Sequence, residues 1–339
     1  MASRDSKLDL IKTIAIFCVI TIHVTSYGWS MFPTGSFSWV SNMFWASITR
    51  AAVPLFLMCS GVIFLNPDKE LTLKKLYTKY LPRVIAAMLV WAMAYKTGNL
   101  ITEGNFSLNG LWKAFKEVIV FKQEFHLYYI HLIILGYICL PIVRIITAKA
   151  SKRQLEYCLA VWFAFGILYP TFGSFWPLSL LASSPRLWLI TMPYAAIGYM
   201  VLGYYIRYVS SLKRLHYLIL LGAGFLFVFY GTWFMCVRKG EFFENFLGGM
   251  SVGVAIMAAG IFGVCPDKKS RITTWCSKAS FCIYLVHVFF LRFINTEGLI
   301  GSMLIPAVSV PLITGIIFLC STGVYWFLSY VPGVKKWLI

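Results

Sequence analysis

Asp9, Lys12 and His23 lie inside DLIKTIAIFCVITIHV, a run that otherwise reads as a transmembrane helix. Eleven residues separate Lys12 from His23. That is almost three helical turns, so both side chains point the same way, about 16 Å apart. Asp9, three residues before Lys12, shares this face and is placed to pair with it. Each ionisable residue in a spanning helix costs roughly 2.5–3.5 kcal/mol on insertion scales, so a stripe of three is expected to face an internal cavity, not lipid.

Candidate partners for His23 lie at its own depth. It stands about five residues from the end of its span that is remote from Lys12, and Arg50, in SITRAAVPLFLMCSG, is at a comparable height in the second span. His126 opens the fourth span at the same level, followed by Tyr128 and Tyr129. A histidine beside a buried arginine suits a general base working next to an anion stabiliser. The alternative is that Arg50 snorkels to headgroups and His23 only hydrogen-bonds another helix.

The elements that must position these residues are membrane helices. Of 339 residues, 60% are hydrophobic and 12% charged, with a mean hydropathy of +0.77, far above that of soluble domains. Ten apolar stretches approach or reach the length needed to cross a hydrocarbon core of ~30 Å. They run approximately 8–28, 42–65, 81–98, 127–146, 155–171, 187–206, 215–235, 246–264, 279–295 and 303–330. The sequence predicts an all-α polytopic membrane protein of about ten transmembrane helices. The whole of 1–339 forms one domain with no separate soluble domain and no linker. Between the third and fourth spans, LNGLWKAFKEVIVF has helical apolar spacing and is expected to lie along the interface, with Lys113, Lys116 and Glu117 towards water.

The net charge of +18 has a topological explanation. With a cytoplasmic N-terminus, 20 of the 30 Lys and Arg fall before the first span, in 69–83, 144–153, 207–214 and 268–278, and at the C-terminus. Eight fall on the opposite side, and Lys12 and Arg50 lie within spans. The positive-inside rule therefore puts both termini in the cytoplasm and makes the number of spans even. The excess charge reads as a topology signal attracted to anionic lipid, not as a nucleic-acid surface. No cleavage site follows the first apolar run, so that span is expected to stay in the mature protein.

Other residues carry less information. His216 adjoins a cytoplasmic loop and reads as solvated, whereas His287, in SFCIYLVH, fits either a packing or a chemical role. Lys79, Arg83, Arg144 and Arg153 could gather with Lys12 around a phosphate-bearing ligand, although topology alone would also put cations there. Nine scattered cysteines lack metal-ligand spacing, and no metal site is expected. The lack of a Walker loop, a dinucleotide fingerprint or a serine nucleophile elbow argues against an ATP-driven pump and a serine hydrolase.

Five landmarks in order resemble the acyltransferase-3 family of integral-membrane O-acyltransferases, in its short bacterial form that acetylates surface polysaccharide precursors. The first is Asp9, Lys12 and His23; the second is Arg50, Val53, Pro54, Leu55, Phe56, Ser60 and Gly61. A basic pair, Lys79 and Arg83, precedes the third span. His126, Leu127, Tyr128 and Tyr129 precede a Pro141-terminated helix, and Ser280, Ile283, Tyr284, Leu285 and His287 complete the set. The departures are Lys at 12 for the commoner Arg, Tyr at 128 for Trp, and a looser basic motif.

The resemblance implies transfer of an acyl group, usually acetyl, from cytoplasmic acyl-CoA to a hydroxyl, commonly on a sugar, by a multi-pass protein of the bacterial plasma membrane. On that reading the donor is acetyl-CoA, with Lys12, Lys79, Arg83, Arg144 and Arg153 around its nucleotide end. His23 is the base, Arg50 steadies the oxyanion, and His126 or Tyr128 positions the acceptor, with Asp9, Tyr129 and His287 as further substrate contacts. The partners expected are membrane lipid, acyl-CoA and a saccharide or glycan acceptor, with no nucleic acid; a separate transferase could take over the acyl group. The rival class is a transporter or flippase of a lipid-linked saccharide. It would call for broken helices in both halves of the chain, and Pro54 and Gly61 have no counterpart half a chain later.

Overall fold

The computed structural model describes residues 4–181, 184–296 and 305–339, and every regular element among them is helical. Nine helices of the described residues are long and apolar enough to cross a membrane. The expected span at 187–206 forms as Met192–Tyr208, at 17 residues shorter than those nine. The expected start of the last span, at 303, lies outside the described residues. The chain is a polytopic helical membrane protein.

Helix α1 (Ser6–Ser26) is the axis of the bundle. It starts where the Asp5 carboxylate accepts from the backbone N–H groups of Lys7 and Leu8 at 3.0 and 3.2 Å, satisfying two donors that no helical carbonyl can reach. The second span is broken into α2 (Phe37–Thr49) and α3 (Ala52–Leu65). Pro54 explains the break: it has no N–H for the carbonyl of Arg50, and its ring would collide with that carbonyl in a continuous helix. Arg50 consequently caps the end of α2.

The other main helices complete the bundle. They are α4 (Leu81–Thr102), the short α5 (Leu108–Ile119), α6 (Tyr128–Lys149), α7 (Lys152–Trp162), α8 (Met192–Tyr208), α9 (Arg214–Lys239), α10 (Val252–Val264), α11 (Arg271–Thr296) and α12 (Pro306–Leu328). α6 runs two turns past Pro141 and does not end there, contrary to the expected Pro-terminated helix. α1 packs on α2, α3, α11 and α12, and α3 packs closely on α8. A Cβ on Gly61 would lie 1.9 Å from the Met200 carbonyl oxygen, and one on Gly203 would lie 2.3 Å from that of Met58. Only hydrogen fits at these two points, so backbone meets backbone, as in small-residue packing within membranes. Outward stripes such as Ile138, Ile142 and Ile145 on α6 stay exposed, as lipid-facing surfaces must.

α5 forms where the amphipathic segment predicts it, buries Ala114 and Val118, and leaves Leu108, Trp112, Phe115 and Ile119 exposed. Glu117 is turned inward to Lys96 at 2.7 Å, against the expectation that it points to water. The basic loops gather at one end. Arg144 reaches the carbonyls of Phe64, Asn66 and Lys69, while Arg207 pairs with Asp5 at 3.0 Å and Asp267 at 3.1 Å. Arg83 and Trp91 hold the carbonyls of Ile339 and Leu338 at this same cation-rich face, so both ends of the chain lie there.

Candidate active site

Three histidines from separate segments meet near the far end of α1. The ring of His23 lies 5.2 Å, centroid to centroid, from that of His287 on α11, which in turn lies 5.6 Å from His126 in the tight turn leading into α6. His287 is fully buried, and its Nδ1 faces the carbonyls of Tyr284 at 2.8 Å and Ile283 at 3.2 Å. A carbonyl only accepts, so Nδ1 carries the proton and Nε2 keeps its lone pair. That Nε2 and both nitrogens of His126 are buried without a hydrogen-bond partner among the described residues. Leaving such a group unpaired costs ~1–3 kcal/mol. Three in one place mark a site kept for something other than stability. His23 is half-buried, and its ring makes no hydrogen bond among the described residues.

Aromatic packing fixes the cluster. The Tyr95 ring meets His126 edge-on at 4.8 Å and stacks on Phe289 at 3.8 Å, while its hydroxyl donates to the Leu285 carbonyl at 2.8 Å. Tyr284 donates to the backbone carbonyl of His126. Arg50, at the C-terminal end of α2 where a helix dipole favours a cation, has a buried Nε with no acceptor. Both halves of its span, α2 and α3, pack on α1, the helix that carries His23.

A tunnel of about 320 Å³ reaches towards this cluster from the cation-rich face. Lys12 and Arg83 line it, its bore is largely apolar with Phe56, Ile63, Val84 and Ile133, and Tyr129 and Tyr284 also form its wall. The Tyr284 ring is 6.2 Å from both His126 and His287, one aromatic layer from the tunnel. A vestibule of about 490 Å³ shares Lys12 and Ile63 with the tunnel and adds Arg4, Asn66 and Lys69. A separate cavity of about 300 Å³ is lined by Tyr128, Val53, Thr171, Asn245 and the backbone of 248–251. The adjacent Tyr128 and Tyr129 thus serve two different cavities.

A family model for the acyltransferase domain of the acyltransferase-3 type matches residues 5–330. The chain belongs to the acyltransferase-3 family. Comparison with curated proteins and with solved structures returned no match. As an acyltransferase-3 protein with many apolar helices, it is a multi-pass membrane acyltransferase.

Within this acyltransferase-3 domain the residues singled out from sequence fall into distinct groups. His23, His126 and His287 come together; Arg50 stands at the break between α2 and α3, and Tyr128 opens α6 two residues after His126. Lys12, Arg83 and Tyr129 line the tunnel. Asp9 does not pair with Lys12; Arg4 takes both its oxygens, at 2.6 and 2.7 Å, and Thr274 donates to it at 3.2 Å. Arg4 precedes α1, so its side chain reaches Asp9 from outside the helical register that pairs Asp9 with Lys12. Arg144 is occupied by three carbonyls at and just after the end of α3, Lys79 is exposed away from the tunnel, and Arg153 lines a different surface groove with Lys149 and Tyr157. Sequence reasoning passed over Tyr95, Glu124 and Arg292, all within contact of the cluster or its supports. The one available signal was Glu124, an acid two residues before a candidate histidine.

Proposed function

We propose that this acyltransferase takes an acetyl group from acyl-CoA presented at the cation-rich, cytoplasmic face and delivers it to a hydroxyl of a saccharide or cell-surface glycan precursor. The carrying observation is that a cation-lined, apolar-bored tunnel ends one aromatic layer from His126 and His287, with the His23 ring next to His287 and the ring nitrogens of all three largely unpaired among the described residues. Lys12, and Arg83 beside its bond to the Ile339 carbonyl, suit the phosphates of CoA, and the bore suits its arm, which supplies the acyl group as an activated thioester.

His23, the most accessible of the three rings, acts as general base on the acceptor hydroxyl. The hydroxyl oxygen bonds to the acyl carbon, the carbon–sulfur bond breaks, and the proton taken by His23 is returned to the departing thiolate. His287 stands behind His23 with its Nε2 lone pair available to an N–H of the neighbouring ring. Arg50 stabilises the oxyanion that develops on the acyl oxygen. The Tyr128 cavity, separate from the tunnel, suits an uncharged polyhydroxyl group.

Labelled acetyl-CoA incubated with the purified protein and candidate glycans tests the reading. Covalent incorporation that falls by about 10²–10⁴ in His23→Gln is expected. Near-normal turnover of a folded His23→Gln protein would sink the role, and vesicle uptake of the glycan with no label attached would favour transport.

A further inference from the structure

The segment that carries His126 is held by a polar bridge that the proposed chemistry does not itself use. Glu124, two residues earlier, accepts from Arg292 of α11 at 2.5 Å and from the side-chain amide of Asn99 on α4 at 3.0 Å. Arg292 also donates to the Asn99 oxygen at 2.7 Å, which closes a three-membered ring of hydrogen bonds. The Glu124 side chain is only 10% exposed and that of Arg292 35%, so the ion pair is partly removed from water.

The bridge is coupled to the imidazole through one further ring. The Arg292 guanidinium lies over the Tyr95 ring at 5.5 Å, and Tyr95 is the side chain that meets His126 edge-on at 4.8 Å. Asn99 and Tyr95 are one turn apart on α4, and Arg292 follows His287 by five residues on α11. The same three residues therefore tie the His126 turn to the helix of Tyr95 and to the helix of His287. With neither ring nitrogen of His126 hydrogen-bonded, nothing polar orients that imidazole directly. Its orientation depends on Tyr95 and on where the backbone of 124–127 is anchored.

We propose that Glu124, Arg292 and Asn99 are positioning residues that hold the His126 imidazole in register with His287 and His23 for acyl transfer. The inference rests on the histidine cluster being the acyl-transfer site. A partly buried charge pair is suited to this work because its short, directional bonds fix a register that apolar packing alone leaves free to slip.

Two measurements on the full-length protein test it. The first is deuterium exchange at the imidazole C2 positions, read by mass spectrometry without substrate. Exchange at His126 should quicken several-fold in Glu124→Gln while the exposed His216 keeps its rate, and an unchanged His126 rate overturns the bridge. The second uses membrane vesicles, which bring their own acceptor, and labelled acetyl-CoA. Glu124→Gln and Arg292→Gln should each lower kcat by about tenfold or more with KM for acetyl-CoA within about twofold, since a misplacement near 1 Å costs rate and not donor affinity. On a His126→Ala background, Glu124→Gln should cost nothing further, because residues acting through one another are not additive. A full additional loss on that background overturns the positioning role. Normal turnover of His126→Ala itself overturns both the site reading and the bridge. Vesicles of the unaltered protein that incorporate no label would remove the acetyl-CoA reading alone, and the exchange measurement then decides the bridge.

Discussion

The two ends of α1 solve opposite problems with similar residues. At the cation-rich end, Asp5 caps the helix and meets Arg207, Asp9 takes both arms of Arg4, and Asp267 accepts from Ser6 and Arg207. About four turns beyond Asp9, Nε2 of His287, both nitrogens of His126 and Nε of Arg50 are buried with no partner among the described residues. Paired carboxylates hold the helix in place, while unpaired nitrogens lower stability and persist beside a tunnel that could bring them a substrate. The contrast separates charge paired within the protein from buried polar groups with no partner among the described residues.

The largest effects are expected where partners are missing. His126→Phe keeps the volume of the ring and removes two buried unpaired nitrogens, so acyl transfer should fall by about 10²-fold or more while the unfolding temperature stays level or rises. A clear drop in thermal stability with activity retained would reverse the assignment. Next comes Lys12→Ala at the tunnel mouth. Loss of one charge-assisted contact of ~1.5–3 kcal/mol should raise KM for acetyl-CoA about tenfold or more with kcat little changed. Steady-state kinetics in proteoliposomes separate the two constants.

At the paired end the expected changes are in stability. Asp9→Ala removes the acceptor of Arg4 and Thr274 and should lower stability by ~1–3 kcal/mol, read as earlier thermal unfolding, with the KM for acetyl-CoA unaltered. The smallest effect is at Asp267, whose carboxyl the Ser6 hydroxyl and then the Arg207 guanidinium hold below its ordinary range. A depressed carboxylate pKa stabilises the fold above the unfolded value of ~3.9, and that contribution is lost as pH falls through the folded value. The unfolding temperature of Asp267→Asn should therefore lie slightly below that of the unaltered protein at pH 7, and the gap should close below about pH 4.

How much of this was legible in the sequence depended on the range of the interaction. Helical spacing aligned Lys12 with His23, Pro54 marked the break that makes Arg50 a helix cap, and the loop charges put both chain ends on one face, because each is a local or compositional property. The family landmarks ran in order over most of the chain, and the family itself is matched over 5–330. His287 remained ambiguous since nothing in SFCIYLVH says that α11 lies against α1. Arg144 reads in sequence as a phosphate ligand because its three carbonyl partners, in the last turn of α3 and the loop that follows, lie nearly eighty residues away. Asp9 was assigned the wrong cation because the nearest one in helical register was not the nearest in space.

The contact between α3 and α8 has a mechanical consequence. With the Gly61 and Gly203 backbones seated on the carbonyls of Met200 and Met58, neither helix can slide or rotate past the other without collision. α3 carries Phe56, Ser60 and Ile63 of the tunnel wall. That wall behaves as a fixed rail, and any widening of the bore must come from the other helices that line it, α1, α4, α6 and α11.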